Sequence, residues 1–566
     1  MRLSTDPGRD HTRATATIAA AADAGIVVFD TAHAYGADAG HNERVLSVAL
    51  RTVGAANRAR IITKGGMTRP SGQWLPDGRA GTIRRHCEES LAALDGLPID
   101  LYLVHAPDPR VTWRTTVRAL GRLVDAGLVR HVGVCNVNRR LLDEAVDLAP
   151  VSAVQVAINI FDDAAVRGGV VERCADLGVT VLAHSPLGGP RRAHRLERDA
   201  TLADIAARSG VAAAEVALAG LLDLAPGLVA LPGAGRPETA RSAARAADLL
   251  LSDDDRARLR GAYGAARPSR TIATSRRPPG GEVVAIMGIP GAGKTDLAEE
   301  YVRRGFLRLN RDIRGGSLKD VASDLESSLS KGVLNVVVDN TYLTRAARSH
   351  VIDAAAEHGR RTRCVWLDTP VEQAQINLVA RLLDRFGELP DPATLRDAAR
   401  AEPGLMLPTS LLRTVRELEP PTTDEGWHAV DRIAFARRPS HTTASAVFVA
   451  AQIFSQPDWR EAIARGDPRC RHLVFEWREG GTSADLDDVA ALLMTVIDAP
   501  VEVAICPHPG GPPSCWCRPP LPGLPLAFAH RHQLNPARSV LVGLTSTHRR
   551  LAAAIGARYV GASQAA

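Results

Sequence analysis

Short runs of β-branched and aliphatic residues alternate with longer Ala- and Leu-rich stretches through the first half of the chain. This rhythm is typical of parallel strands covered by helices, and about seven or eight such units predict a (β/α)8 TIM barrel. No Gly-x-Gly-x-x-Gly follows the first run, which disfavours a Rossmann domain. A barrel with a missing strand exposes unpaired backbone groups, so residues 2–4 are expected to serve as its first strand. The other predicted strands are residues 26–30, 60–64, 101–105, 132–135, 153–156, 179–184 and 228–231.

Two segments rich in Pro, Ser, Thr and Arg interrupt the alternation at residues 267–281 and 437–444. Such segments have no apolar periodicity and bury little surface, so they are predicted to be linkers. The chain is therefore predicted to be an α/β multidomain protein. Its parts are a barrel at residues 1–262, a linker at 263–281, a second α/β domain at 282–438 and a third at 444–566.

Composition is that of a soluble globular protein, with 45% apolar and 23% charged residues among 566. The net charge of +6 and the isoelectric point of about 9.0 are mild for this length and do not by themselves indicate a nucleic-acid partner. No run of about 18 apolar residues predicts a membrane span, and the polar start has no signal-peptide core. We expect a cytoplasmic protein without a membrane partner, and the oligomeric state stays open.

Four polar residues stand at or just after predicted strand ends, where a barrel carries its chemistry. Asp30, Lys64 and His105 end three strands, and Tyr35 follows the first of these strands. A lysine beside a tyrosine lowers the pKa of the phenol, and a carboxylate keeps the lysine charged and in place. A histidine can hydrogen-bond a carbonyl oxygen. Together the four residues predict a proton donor for carbonyl reduction.

The segments that carry these residues resemble the aldo/keto reductase family. The resemblance implies that the four residues form a catalytic tetrad with Tyr35 as the general acid. It also implies a nicotinamide cofactor as the hydride donor and a small carbonyl compound as the substrate. The matching segments are Phe29-Asp-Thr-Ala-His-Ala-Tyr-Gly36, Ile61-Ile-Thr-Lys-Gly65 and Leu101-Tyr-Leu-Val-His105.

The resemblance further implies where the cofactor binds. Asn136 and Gln155 correspond to the family's carboxamide-binding pair, and His184 stands where the family usually stacks a tyrosine on nicotinamide. A lysine that many relatives carry near the cofactor phosphate is missing, but Arg236 and Arg241 are able to grip a 2′-phosphate bidentately. NADPH is therefore favoured over NADH.

The clearest motif of the chain is Gly-x-x-x-x-Gly-Lys-Thr at residues 288–295, between a buried strand and a helix predicted from Asp296. The backbone N–H groups of such a loop surround phosphates, and the helix N-terminus adds partial positive charge. The motif predicts ATP binding, with Lys294 at the β- and γ-phosphates and Thr295 on Mg²⁺. The glycines that shape the loop are Gly288, Gly291 and Gly293.

Further segments supply groups that phosphoryl transfer to a hydroxyl needs. Asp312 follows a short strand. Its carboxylate could take the proton of the acceptor hydroxyl. The alternative is that Asp312 only caps the N-terminus of a helix. Arg381 and Arg385 share one face of a predicted helix and can stabilise the transferring charge, and the alternative is a solvated helix face. A strand ends in Val-Val-Val-Asp-Asn-Thr at residues 336–341.

In this order the segments resemble polynucleotide 5′-hydroxyl kinases over residues 282–437. The resemblance implies that Asp312 is the general base and that Arg314 or Arg311 contacts the acceptor. It also implies that Arg381 and Arg385 form a lid over ATP. The residues that would line the nucleotide site on the acceptor side are Asp339, Asn340 and Thr341.

The acceptor itself stays open between a 5′-hydroxyl of nucleic acid and a small-molecule hydroxyl. Residues 282–438 hold 22 Lys and Arg against 23 Asp and Glu. This balance leaves no overall basic field to attract nucleic acid, although a local basic channel is compatible with it.

Three of the eight cysteines cluster with a histidine in a Pro- and Gly-rich loop, as Cys506, His508, Cys515 and Cys517. Such side chains can close tetrahedrally on Zn²⁺, and the loop has too little apolar content to become ordered by packing alone. We predict a closed, structural zinc site. Four other cysteines are isolated and are expected to be buried or free thiols: Cys87, Cys135, Cys174 and Cys364.

The segments around this loop resemble zinc-loop phosphatases of the haloacid-dehalogenase type. That family needs Asp-x-Asp after its first strand, whereas the strand at 445–452 has no carboxylate. Leu544 and Pro519 stand where the family has a Mg²⁺-binding aspartate and a lysine. Without an aspartate nucleophile no phosphoenzyme forms, so the domain is predicted to be degenerate and non-catalytic.

Three functions are compatible with these observations. The first is a fusion of an NAD(P)H-dependent reductase, an ATP-dependent hydroxyl kinase and a pseudo-phosphatase, with nucleic-acid end repair as one role. The second is a small-molecule pathway enzyme that reduces a carbonyl and then phosphorylates the new hydroxyl. The third is a scaffold or sensor whose barrel binds cofactor without turnover.

Overall fold

The structure is a computed structural model that describes residues 11–190, 192–263, 280–436 and 442–562. The chain divides into two compact units, which are described separately. Residues 11–263 lie in the first unit, and residues 280–344 and 350–562 lie in the second. The first strand expected at residues 2–4 lies outside the described residues, as do most of the first predicted linker and residues 437–441 of the second.

The first unit contains a parallel sheet of seven strands in sequential order. All seven predicted strands that lie in the described part are present, with ends shifted by one or two residues. Val28–Asp30 and Val229–Leu231 are the two edges of the described sheet, which is therefore a nearly closed barrel. The strands are Val28–Asp30, Arg60–Gly65, Leu101–Val104, His131–Cys135, Val151–Ala157, Thr180–His184 and Val229–Leu231.

Helices with one apolar face cover this sheet. In Trp113–Asp125, for example, Val117, Leu120 and Leu123 are buried at three-residue spacing while the arginines between them are exposed. Thr112 caps the helix by accepting a hydrogen bond from the Thr115 N–H. The helices are His11–Asp23, His41–Thr52, Ala80–Ala93, Trp113–Asp125, Arg139–Val146, Ala164–Arg167, Val170–Leu177, Ala200–Ser209, Ala213–Leu222, Pro237–Arg245 and Asp253–Ala262.

Across the described residues, no single helix is both long and apolar enough to cross a bilayer. One helix pair, Ala200–Ser209 with Ala213–Leu222, meets those criteria of length and composition only when taken together, and it is bent by 100°.

The second unit holds two five-stranded parallel sheets. In the first of these, which we call the P-loop sheet, the central strand Glu282–Met287 is buried from its second residue onward. The chain passes first to one side of this strand and then to the other. The loop after Met287 therefore lies at a switch point, where open α/β sheets bind ligands. The strand order is Leu307–Leu309, Val336–Asp339, Glu282–Met287, Arg361–Asp368 and Ala429–Ala434.

The helix after the P-loop is Lys294–Arg303, so the expected start at Asp296 is wrong by two residues. Gly293 adopts a left-handed conformation, with φ of 92°, and serves as the N-cap, which lets the helix begin directly at the lysine. The other helices in this part of the chain are Arg311–Arg314, Leu318–Ser330, Arg345–Glu357, Val371–Phe386, Pro392–Ala401 and Pro408–Glu417, and residues 345–349 at the start of the third of these are grouped with the first unit.

The second sheet of this unit, the C-terminal sheet, has Ala446–Ala450 at its centre, and this strand is entirely buried. Its residues are apolar on both faces, as expected for a parallel strand covered by helices on each side. The strand order is Val501–Cys506, Arg471–Trp477, Ala446–Ala450, Val540–Gly543 and Arg558–Gly561. The helices are Trp459–Ala464, Asp487–Met494, Gly523–Arg531 and Ser546–Ile555.

Candidate active sites

The carboxyl ends of neighbouring barrel strands bring Asp30 and Lys64 into contact. Lys64 Nζ donates hydrogen bonds to Asp30 Oδ2 at 2.7 Å and to Thr31 O at 2.8 Å, and the lysine is fully buried. Burial alone would lower the pKa of Lys64, but the charge and hydrogen bond of Asp30 raise it above its usual value. The pKa of Asp30 falls below its usual value because Lys64 outweighs the opposite effect of burial.

Tyr35 lies beside this ion pair, with Lys64 Nζ 5.0 Å from the centroid of its ring. Burial raises the pKa of the phenol, and the opposing charge of Lys64 does not overcome the effect. Lys64 therefore acts on this pKa in the expected, lowering direction, but burial outweighs it and the net pKa lies above its usual value. The raised pKa keeps Tyr35 protonated, which is the state that a proton donor needs.

His105 meets the Tyr35 ring edge to face, with the ring centroids 5.6 Å apart. Burial and the nearby charge of Lys64 lower the pKa of His105 to about 3, so the imidazole is neutral. Its Nδ1 is buried and has no hydrogen-bond partner among the described residues. A buried polar atom without a partner is uncommon, and the His105 ring also lines the cavity beside Tyr35.

Trp74 forms part of the wall of this site, and the sequence analysis missed it. Its indole meets Tyr35 and His105 edge-on, with centroid distances of 6.1 and 5.7 Å, and the Arg69 guanidinium stacks on it at 4.4 Å. The side chain is half exposed, in the short hairpin after the second barrel strand. A tryptophan in a polar, glycine-containing loop after a barrel strand was the signal available in the sequence.

A cavity of about 690 Å³ adjoins these residues, and Asn136, Gln155 and His184 line it as expected for cofactor contacts. Asn136 Nδ2 donates to His105 O at 2.9 Å, and its Oδ1 lies 3.1 Å from His184 Nε2. Gln155 Nε2 donates to Asp30 Oδ1 at 2.9 Å. These bonds orient the three side chains and connect them to the tetrad.

The cavity continues along one face of the helix Pro237–Arg245, where the lining side chains are alanines. Arg236 is the N-cap residue of this helix and Arg241 lies within it. Both arginines are exposed, and neither lines the cavity. The expected phosphate-binding arginines therefore lie on the helix that borders the cavity but do not line the cavity itself.

The sequence profile of the aldo/keto reductase family matches residues 3–263. This part of the chain is an aldo/keto reductase domain. The reductase domain is 34% identical over 155 residues to aldo-keto reductase YhdN of Bacillus subtilis (strain 168) and 33% identical over 168 residues to probable aldo-keto reductase 1 of Glycine max. These alignments cover 27% and 29% of the chain and 46% of each relative, so the chain spans about half the length of these two proteins.

Two solved structures are also similar to the reductase domain. The thermostable aldo-keto reductase Tm1743, in complex with the inhibitor epalrestat, is 32% identical with a TM-score of 0.40, over 46% of this chain and 90% of its own. An aldo/keto reductase from Klebsiella pneumoniae, in complex with NADP and acetate, is 25% identical with a TM-score of 0.41, over 47% and 89%.

In the second unit, residues 288–295 form a compact loop at the end of the central strand. Lys294 Nζ donates to Gly288 O and Ile289 O, each at 3.0 Å. A Cβ atom on Gly291 would lie 2.8 Å from a backbone carbonyl oxygen of the helix Val371–Phe386, so this position needs glycine. Thr295 is exposed at the second position of the following helix, where its hydroxyl is accessible to a metal ion.

Burial lowers the pKa of Lys294 to about 8. Asp339 and Asp312 act in the opposite direction, while the charge of Arg381 lowers the pKa further. Asp339, Asp312 and Arg381 are therefore close enough to Lys294 to shift its pKa.

Asp312 is presented by the short helix Arg311–Arg314. Asn310 is the N-cap of this helix, because its Oδ1 accepts hydrogen bonds from the Asp312 N–H at 2.7 Å and the Ile313 N–H at 3.2 Å. The alternative in which Asp312 is the cap is therefore wrong. Its carboxylate is half exposed and meets the Arg311 guanidinium at 3.1 Å, so it stays available to a bound molecule.

The other expected arginines have partners in this structure. Arg385 forms an ion pair with Glu402 at 2.9 Å, and Arg314 forms one with Asp324. Among the expected lid and acceptor arginines, Arg381 is the one whose charge acts on the P-loop lysine.

The strand beside the P-loop ends in the three expected residues. Asp339 is buried and accepts two hydrogen bonds from Arg308, at 3.1 and 2.7 Å. Asn340 Oδ1 accepts from the Arg311 N–H at 3.1 Å, and the carbonyl oxygen of Thr341 accepts from the first glycine of the P-loop at 3.4 Å. These contacts connect the Asp312 segment to the P-loop.

A profile described as an AAA domain matches residues 283–402. The second unit therefore carries a P-loop domain with kinase-like features. One residue that contacts its loop was missed by the sequence analysis: Asn377 Nδ2 donates to Gly291 O at 2.7 Å. Gln373, one helical turn earlier, donates to Asn377 Oδ1 at 2.8 Å and orients it. A pair of amide side chains at i and i+4, in the helix turns just before Arg381, was the available signal.

The four expected metal ligands in the C-terminal part converge, and all their ligand atoms lie within 4.8 Å of one another. Cys506 Sγ lies 3.6 Å from Cys515 Sγ and 3.2 Å from Cys517 Sγ, and His508 Nδ1 lies 3.2 Å from Cys517 Sγ. We call these four residues the thiolate cluster. The four isolated cysteines of the sequence analysis are buried, as expected.

The carboxyl end of the central strand of the C-terminal sheet is followed by Ala451 and Gln452, so no carboxylate stands there. On the neighbouring strand Arg471–Trp477, Glu476 directly follows Phe475, the residue that pairs with the last residue of the central strand. It accepts a hydrogen bond from Gln452 at 3.3 Å and pairs with Arg478 at 2.8 Å. Because both partners hold the Glu476 carboxylate, it is not free to act as a nucleophile.

Proposed function

We propose that the reductase domain reduces a small aldehyde or ketone with NADPH. The observation that carries this proposal is the buried Lys64–Asp30 ion pair beside a protonated Tyr35 and a neutral His105 on one cavity. Tyr35 would donate its proton to the carbonyl oxygen, and Lys64 would stabilise the phenolate that results. His105 would hydrogen-bond the same oxygen and orient it. The nicotinamide, when bound, supplies the hydride.

The residues present fit such a cofactor. The cavity of about 690 Å³ is large enough for a nucleotide and has amide side chains, Asn136 and Gln155, beside the tetrad. The alanine face of the helix Pro237–Arg245 leaves space for the remainder of the cofactor. Arg236 and Arg241 lie at that helix, where guanidinium groups favour a 2′-phosphate, and this supports NADPH over NADH.

A cofactor titration of the full-length chain tests this proposal. NADPH is added while tryptophan emission is recorded, and we expect quenching because Trp74 lies at the tetrad. Trp74→Phe should lose most of the quenching while reduction of test aldehydes persists. A parallel NADH titration measures the preference for the 2′-phosphate. The proposal is wrong if neither cofactor binds at millimolar concentration.

We further propose that the P-loop domain transfers a phosphoryl group from ATP to a hydroxyl. The supporting observation is that Asp312 and Arg381 both act electrostatically on Lys294 at the P-loop. Lys294 and Arg381 would stabilise charge on the phosphates, and Asp312 would accept the hydroxyl proton. Thr295 and the phosphates would hold Mg²⁺. Arg385 would have to leave its ion pair with Glu402 and contact ATP instead in order to join the lid.

The acceptor that this proposal favours is a 5′-hydroxyl of a polynucleotide, with a small polyol as the alternative. Labelled ATP is offered with 5′-hydroxyl DNA, 5′-hydroxyl RNA and a set of polyols, and transfer is measured for each. Transfer to DNA or RNA alone supports a role in end repair, and transfer to polyols alone supports the small-molecule pathway. The absence of transfer to any hydroxyl would overturn the kinase proposal.

We also propose that the thiolate cluster holds one structural Zn²⁺ and that the C-terminal sheet belongs to a degenerate haloacid-dehalogenase-like domain. A tetrahedral zinc site with bonds of about 2.3 Å to sulfur has ligand separations of about 3.8 Å. Three of the separations between ligand atoms, of 3.2, 3.2 and 3.6 Å, approach this value before any ion is added, and all the ligand atoms lie within 4.8 Å of one another. Four protein ligands leave no open position for a reactive water, so the site would be structural.

A further inference from the structure

We propose that Trp516 transmits metal binding at the thiolate cluster to the P-loop, by holding one helix in place against the nucleotide site. This helix, Val371–Phe386, is called the buttress helix below. The proposal rests on the proposed kinase function and adds a form of control over it. In this view Trp516 is a positioning residue, because it acts on the P-loop only through the buttress helix.

Trp516 stands between two ligands of the thiolate cluster, Cys515 and Cys517, yet its side chain belongs to the packing of the P-loop domain. It is 2% exposed, and its indole N–H donates to Met406 O at 3.0 Å. Residues next to zinc ligands usually lie in an exposed loop. The indole of Trp516 is large and buried, so an apolar surface must cover it.

That surface is an apolar cluster built on the buttress helix. Trp516 packs in one cluster with Leu378, Leu382 and Leu383 of the helix. Ile289, inside the P-loop itself, belongs to the same cluster and is 4% exposed. A continuous apolar contact therefore connects the metal loop to the phosphate-binding loop. The two helices Gly523–Arg531 and Ser546–Ile555 also pack against the buttress helix.

The buttress helix also contacts the P-loop directly. Asn377 donates to Gly291 O at 2.7 Å, and a Cβ on Gly291 would touch Ala374 O at 2.8 Å. The same helix carries Arg381, whose charge acts on Lys294. A shift of the helix by even 1 Å would lengthen the Asn377 bond beyond hydrogen-bonding range and displace Arg381 from the phosphates.

Metal binding would decide whether Trp516 is held. The five residues 509–513 before it are all proline or glycine and contribute no apolar anchor. Such a loop is predicted to need metal for its order, and the buried Trp516 adds a second contribution, from packing, that the sequence pattern does not indicate. A bound ion fixes the backbone on both sides of Trp516, because both of its neighbours are ligands. Without the ion, the Cys506 thiol and the two thiols that lie 3.6 and 3.2 Å from it, those of Cys515 and Cys517, lose their common partner.

The test uses the full-length chain and the affinity for a non-hydrolysable ATP analogue with Mg²⁺, measured by calorimetry, together with zinc content. Trp516→Ala should retain one zinc per chain and bind the analogue about tenfold more weakly, the size of a moderate coupling between sites. Trp516→Phe, which keeps the ring but loses the bond to Met406 O, should show a smaller loss. Removing zinc from the wild type, with a chelator that binds Mg²⁺ weakly, should reproduce the Trp516→Ala affinity.

A matched control is Trp459→Ala, which removes a tryptophan that is 5% exposed within the core of the C-terminal sheet. It should leave the affinity for the analogue unchanged. Equal weakening by both variants would mean that general loosening, not the Trp516 contact, is responsible, and would overturn the proposal. Unchanged affinity in zinc-loaded Trp516→Ala would overturn it as well.

Failure of the kinase proposal has a different signature. If the wild-type chain does not bind the analogue, hydrogen exchange in the buttress helix replaces affinity as the readout. Trp516→Ala and zinc removal should then each speed exchange within residues 371–386, and Trp459→Ala should not. Unchanged exchange in the first two samples would overturn the coupling independently of nucleotide binding.

Discussion

Asp30 and Lys64 form a hydrogen-bonded ion pair, 2.7 Å long, in which the lysine is completely buried and the carboxylate side chain is 14% exposed. Breaking such a pair on one side leaves a charge in a low-dielectric interior, which is costly even where the intact pair contributes little. The pair therefore links the stability of the barrel to the chemistry of its active site.

Asp30→Asn should destabilise the reductase domain by about 3 kcal/mol, because Lys64 is left buried without its counter-charge. The change in stability is measured by thermal unfolding, with hydrogen exchange of the barrel amides as the readout. The double variant Asp30→Asn with Lys64→Met should recover much of that stability and still fail to reduce aldehydes. Asp204→Asn, which removes an exposed ion-pair partner of Arg258, is the control and should not change stability. A stable, active Asp30→Asn protein would contradict the assigned role of the pair.

Tyr35→Phe should lower aldehyde reduction by about 10²- to 10⁴-fold, since it removes only the proton donor. The phenol stays protonated in this structure because burial raises its pKa, so the loss should hold across neutral pH. NADPH affinity should stay close to that of the wild type, as measured by the same fluorescence titration. Reduction at an undiminished rate would exclude Tyr35 as the general acid.

In the P-loop domain, Lys294→Ala should abolish ATP-dependent transfer and weaken ATP binding, because in the proposed function the lysine would contact the phosphates. Asp312→Asn should bind ATP normally and lose most of the transfer, because only proton acceptance is removed. Glu326→Gln, an exposed carboxylate change on a nearby helix, is the control and should leave both quantities unchanged. Transfer by Asp312→Asn at the wild-type rate would rule out its role as the base.

The buried imidazole of His86 should make the reductase domain less stable in mild acid than at neutral pH. Burial is the main cause that lowers its pKa from 6.5 to about 4, with His33 and Arg85 acting in the same direction and Glu89 and Asp77 opposing them. Between pH 6.5 and 4 the unfolded chain binds a proton that the folded domain does not. Stability therefore falls as the pH falls through this window, by at most about 3 kcal/mol, and the contribution is constant above it.

His86→Asn should flatten this part of the pH profile. An asparagine oxygen can replace His86 Nδ1 as the acceptor for the Gly66 N–H, which lies 3.3 Å away. Urea unfolding at pH 7 and at pH 4.5 provides the comparison. An equally steep fall in the variant would assign the acid sensitivity to other groups.

Elemental analysis of the full-length chain should find about one zinc per chain, as a single closed site requires. Cys515→Ser combined with Cys517→Ser should lose the metal and lower the melting temperature of the C-terminal part. Cys470→Ser, a partly exposed cysteine outside the thiolate cluster, should retain the metal. Zinc-free wild-type protein with the same melting temperature, or measurable phosphatase turnover, would contradict the structural role of the site.

The sequence alone determined the elements whose signal is local. The seven described barrel strands and the P-loop strand were predictable, because β-branched runs bounded by turn residues and helices carry their own pattern. The candidate residues at strand ends were predictable for the same reason, since parallel strands place their carboxyl ends at one edge. Motif spacing likewise indicated the thiolate cluster, whose ligand atoms do converge.

Tertiary structure decided how those residues affect one another. Lys64 lowers the pKa of Tyr35 as expected, but burial, which no local pattern reports, raises it by more and decides the net direction. Trp74, Asn377 and Trp516 were missed because their roles depend on contacts with residues far away in the chain. Sequence periodicity records which face of an element is apolar, whereas the desolvation of a charge and the partner of a buried side chain exist only after distant segments have packed together.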